Sequence, residues 1–169
     1  GIVAGYEVRN ENDLVTKSTV KIYTSDRSFC TGVVIGPRHI VSAAHCFNKT
    51  TNNDDISLAY GLDSELIYGY KVKDLYVHPK FNGIKYMGNL GYENKDFHDV
   101  AALVLDKDLE QFTPVSIIPS RLINSGQEVI LAGYGSYVQE DTVAERALSR
   151  VSTTIGSIGM RFRDFQLTI

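Results

Sequence analysis

Two short segments carry residue types that could do proton chemistry together. The first is VSAAHCF, residues 41–47, where His45 follows a strand-like run and precedes Cys46. The second is DFHDVAALVL, residues 96–105, where Asp99 stands at the entrance of a strongly apolar strand. Imidazole is the side chain best suited to take and return a proton near neutral pH. A carboxylate at a strand entrance can be half-buried and fixed, as holding one imidazole tautomer requires. Taken separately, each residue also fits a plainer role: His45 a structural or exposed histidine, Asp99 a turn residue. A base, moreover, needs a nucleophile to serve.

The remaining chemistry-bearing residues are few. Cys30 and Cys46 are the two cysteines. Their separation suits a disulfide across a hairpin, and it equally suits two reduced, buried thiols. His39 lies in a strand-like run, His78 precedes Pro79 in a turn, and His98 neighbours Asp99 without an evident partner. No His or Cys pair shows ligand spacing with a third and fourth ligand nearby, so neither a metal nor another cofactor is expected.

Elements that could position His45 and Asp99 are strands. Short apolar or β-branched runs recur at 31–36, 39–44, 56–61, 66–78, 100–105, 128–135 and 147–155, with a further candidate at 164–169. Most are bounded by Gly, Pro, Asn or Asp, and ten tyrosines add to the β tendency. Such spacing predicts an antiparallel sandwich or barrel. The stretch KDLEQFTPVSIIPSR, 107–121, holds two of the four prolines and reads as an irregular connection. The expected division is 1–106, a linker at 107–121, and 122–169. A chain of 169 residues, 43% hydrophobic and 22% charged, has the balance of an ordinary globular protein. A net charge of −3 gives no reason to expect nucleic acid. No apolar run approaches the roughly 20 residues that span a bilayer, so no membrane partner is expected.

Taken together, the motifs resemble the trypsin/chymotrypsin-like serine proteases. IVAG (2–5) is similar to that family's mature amino terminus, and FCTGVVIGPRHIVSAAHCF (29–47) matches its histidine segment almost position by position. VKDLYVHPKF (72–81), HDVAALVL (98–105) and VILAGYG (129–135) follow in the family's order, with Tyr134 where tryptophan is more usual. The resemblance implies an all-β fold of two six-stranded antiparallel Greek-key barrels, the second incomplete here. It implies a secreted hydrolase, made as a zymogen, acting on peptide or protein substrates through an acyl-enzyme. In it His45 is the general base, Asp99 its orienting partner, and Cys30–Cys46 a disulfide pinning the histidine loop. Ile2 would be the activation terminus. Loop 81–96 would border the substrate cleft, with Tyr86 and Tyr92 as apolar walls. The family's calcium loop corresponds to GLDSEL (61–66), where Asp63 and Glu65 offer too few oxygens for a cage. Asn48 lies in an NKT glycosylation sequon.

Two departures from the family qualify this. The Gly-Asp-Ser-Gly-Gly nucleophile segment is absent, and Ser42, Ser116, Ser120 and Ser136 sit in other segments. The expectation is that the serine is carried on a C-terminal segment not included in this chain. The alternative is a catalytically inactive protease homologue acting as a secreted binding or regulatory module. The second departure is Gly1, which precedes Ile2 and places the amino-terminal charge one residue early.

Overall fold

A computed structural model describes residues 5–24, 28–47, 52–81, 85–86, 92–93, 98–139, 142–155, 157–161 and 164–168. Strand β1 is Tyr6–Glu7, and a short helix, α1 (Leu14–Ser18), follows it. Asp13 caps α1, its carboxylate accepting from the Val15 N–H at 2.9 Å. Next come β2 (Thr19–Tyr23), β3 (Phe29–Gly36), β4 (His39–Ser42), β5 (Ser57–Tyr60), β6 (Glu65–Leu66) and β7 (Val72–Val77). Two short strands, β8 (Lys85–Tyr86) and β9 (Tyr92–Glu93), pair with each other. After them come β10 (Ala101–Leu105), β11 (Glu128–Gln139), β12 (Thr142–Thr154), β13 (Ser157–Arg161) and β14 (Asp164–Thr168).

The fold is nearly all-β and antiparallel, a curled first barrel followed by an incomplete second one. Seven strands form the first sheet, in the order β6-β5-β2-β3-β4-β10-β7. Residues from both of its ends enter one core. Leu58 and Ile67 lie near one edge and Val72 at the other, and they meet Val20, Ile22, Val34, Ile40, Leu103 and Leu105 from the middle. Burying these branched side chains is what curls the sheet on itself. Gly32 shows how tight the inside is. A Cβ there would stand 2.6 Å from Ile40 Cγ2 and 2.8 Å from Ile22 Cδ1, so only glycine fits. Residues 106–119 carry no strand or helix, yet Leu109 and Phe112 from this stretch close the core.

The second sheet is the β11–β12 hairpin with β1 along β12, which sets Tyr6 opposite Arg150. The Arg150 guanidinium then bonds the α1 cap, Asp13, at 2.7 Å. β13 and β14 form a separate two-stranded pair.

Several elements differ from the sequence reading, among them the short β1, α1, β8 and β9. β2 is absent from the expected strands because TVKIY is short and alternates over only five residues, with both faces covered. Val20 and Ile22 face the core, while Lys21, 1% exposed, is covered on the opposite face. Its Nζ lies 4.4 Å from the Phe29 ring centroid, 5.1 Å from Tyr23 and 5.6 Å from Tyr134, so aromatic faces enclose a cation. The run 66–78 is not one strand. It breaks between β6 and β7 at Gly69, where φ is +80°. β13 was not expected either, because SIGMR holds a single β-branched residue.

Tyr134 links the two sheets. Its hydroxyl donates to the Gly61 carbonyl at 3.1 Å, and its N–H donates to Thr31 Oγ1 at 2.9 Å. Burial, aided by nearby Tyr23, pushes the phenol up to about 12. The unfolded phenol ionises near 10. The folded state therefore holds its proton more tightly, and stability from this group is lost as pH rises from about 10 to about 12. Urea melts across that range should decline less steeply in Tyr134→Phe than in the natural chain. Parallel declines would contradict this.

Candidate active site

The register of β4 and β10 assembles the site. Ser42 stands opposite Ala101 and Val41 opposite Ala102. Carried two residues further, that register sets Asp99 against the single 3₁₀ turn Ala44–Cys46. The chain thereby brings together two residues 54 apart in sequence.

Both Asp99 oxygens are used on His45. The His45 backbone N–H donates to Oδ1 at 2.8 Å, and Oδ2 lies 2.8 Å from the imidazole Nδ1. With the proton on Nδ1, the carboxylate accepts it, and Nε2 is left with a free lone pair. The backbone bond matters as much as the ring bond, because it fixes the carboxylate relative to the histidine's own main chain. The His45 side chain is 46% exposed and that of Asp99 25% exposed, so the imidazole is open to a substrate while its partner is half-sheltered. An exposed pair of this kind adds little to stability, so its value is orientation.

Asp99 is held from behind. The Val100 N–H donates to the His98 carbonyl at 2.8 Å, closing a tight turn around Asp99, and the Val100 carbonyl accepts from His78 N–H at 3.1 Å. On the other side, Cys46 is bonded to Cys30 of β3, with Cα atoms 6.3 Å apart. The bridge ties the His45 turn to the sheet. Reducing it should lower stability by about 2–4 kcal/mol, read as a fall in the urea midpoint. Free thiols titrating in the untreated native protein would contradict the bridge.

Cys30, His45 and Cys46 offer ligand atoms within 4.8 Å of one another, but the two sulfurs are bonded to each other and present no thiolates to a metal. The Ser42 hydroxyl donates to the Thr31 carbonyl at 2.8 Å, which occupies it within the sheet. Asp63 and Glu65 line an open depression with Glu11, Lys17 and Gln111. Ile2, Asn48 and the side chains of Tyr86 and Tyr92 lie outside the described residues; in backbone register Tyr86 stands opposite Tyr92.

The structure also adds a contact that the sequence reading missed. His78 and His98 stack, with ring centroids 4.4 Å apart and planes at 18°. Twenty residues separate them, and no local motif signals the pairing.

The sequence profile described as Trypsin matches residues 2–164, and the chain belongs to the trypsin family. A venom serine protease of Polistes dominula is 33% identical over 91 residues, a match covering 48% of this chain and 32% of that protein. The solved structure described as "Structure of GrC" shares the fold, with a TM-score of 0.65 and 17% identity, over 92% of this chain and 66% of that one. The chain thus spans less than two thirds of the length of these relatives. Among the described residues no helix is long and apolar enough to cross a membrane.

Proposed function

We propose that this chain is the larger part of a secreted, trypsin-like serine endopeptidase, with barrels at 1–106 and 122–169 joined by the linker 107–121. The observation that carries the reading is the double hold of Asp99 on His45, through the backbone N–H and through Nδ1. Binding alone has no need of an imidazole fixed in one tautomer with its other nitrogen open.

The nucleophile is then a serine on a C-terminal segment outside these residues, since no Gly-Asp-Ser-Gly-Gly is present. His45 Nε2 takes the serine proton as Oγ bonds to the scissile carbonyl carbon, and Asp99 stabilises the imidazolium that forms. The imidazolium gives its proton to the leaving amine as the C–N bond breaks, leaving an acyl-enzyme. Water repeats the cycle, protonating His45 and then the serine oxygen. Backbone N–H groups around the serine would hold the oxyanion. Ile2 serves as the activation terminus and Asn48 as a glycosylation site in the secretory route.

The missing nucleophile segment favours a second reading, an inactive homologue retained as a secreted binding or regulatory module. Intact mass under non-reducing and denaturing conditions separates the two. A second small polypeptide bearing the serine segment supports the peptidase, as does a precursor encoding it. A precursor without it supports the inactive homologue.

A further inference from the structure

We propose that the stacked His78 and His98 form a positioning pair for Asp99, and that protonating the pair releases the hydrogen bonds that Asp99 accepts from His45. The proposal rests on the reading of Asp99 as the orienting acid. His98 has φ +70°, a left-handed conformation uncommon for residues other than glycine, though histidine is among the more tolerant. The His98 carbonyl closes the turn around Asp99, so the left-handed backbone at residue 98 is part of the turn that carries the Asp99 carboxylate. The ring of His98 rests on His78, and the His78 main chain bonds the Val100 carbonyl on the far side of the same turn. Asp99 is thus clamped through both neighbours in the chain by one histidine pair.

The clamp is sensitive to protons. The Lys80 N–H donates to His78 Nδ1 at 3.1 Å, so that nitrogen carries no proton in this arrangement. A proton there would set N–H against N–H and break the turn after β7. One cationic ring can lie over a neutral ring, but two cationic rings 4.4 Å apart repel. Titratable groups near the pair in the chain are Tyr76 and Lys80, each two residues from His78, and Asp99, which follows His98 and is bonded to His45. Lys80 opposes added positive charge and Asp99 favours it. Glu93, Lys95 and Asp96 fall between the two histidines in sequence, outside the described side chains.

The His45 backbone amide is a direct reporter, because it donates to Asp99 Oδ1. Its hydrogen-exchange protection, measured by NMR on this chain, should fall about tenfold more than that of neighbouring strand amides between about pH 7.5 and about pH 5. His78→Phe keeps an aromatic ring that cannot be charged. His98→Asn keeps a residue suited to the left-handed backbone and removes the charge. Both variants should abolish the selective fall. No selective fall in the natural chain, or an equal fall in both variants, overturns the pair's role and leaves the Asp99 reading intact. Asp99→Ala should leave the amide unprotected at both pH values. If it does not, the hold of Asp99 on His45 fails, and with it the site reading.

Discussion

Leu103→Ala should destabilise this chain by about 3–4 kcal/mol, the largest single-residue loss of stability expected here. Leu103 is fully buried at the centre of β10, paired with Ile40 of β4 on one side and Leu75 of β7 on the other. Its side chain meets core residues from strands throughout the first sheet, so the void left by alanine has rigid walls and little freedom to collapse. β10 also begins two residues after Asp99, so loosening it should disturb the site as well as the core. Urea denaturation with unchanged slope and a lower midpoint is the expected result. A loss below about 1 kcal/mol would mean that the core around Leu103 is far more adaptable than its packing indicates.

The second large effect is on activity. In the protein that includes the serine segment, His45→Ala should reduce kcat/KM by at least about 10⁴-fold, with the loss in kcat, the scale typical of serine peptidases that lose a triad member. Asp99→Asn should come close to it, since an amide turned toward Nδ1 favours the wrong tautomer. Stability should move little in either variant, because the pair is partly exposed and contributes mainly orientation. An enzyme that retains a tenth of its kcat without His45 would have its base elsewhere.

Much of this architecture was legible from local residue patterns. The apolar runs at 100–105 and 128–135 became β10 and the start of β11, because branched and aromatic side chains fit a half-buried pleat. His45 and Asp99 were legible as a pair only through resemblance. What joins them is the β4–β10 register, a long-range property that neither segment states alone. β2 was illegible because only two apolar residues, Val20 and Ile22, mark it, and the rings that bury Lys21 on its other face come from β2, β3 and β11. The break at Gly69 was hidden by alternation continuing on both sides of it; Tyr68, beside the glycine, is 82% exposed. The His78–His98 stack depends on a left-handed residue, and backbone angles of that kind leave no mark on residue spacing.

The central claim is that His45, oriented by Asp99, serves a serine outside residues 1–169. Fluorophosphonate labelling, with the modified residue located by peptide mass spectrometry, tests it most directly. The 169-residue chain alone should take up no label. The protein that includes the serine segment should label once, on that segment, and His45→Ala should slow labelling sharply. Stoichiometric labelling of a serine within residues 1–169, abolished by His45→Ala, would contradict the account.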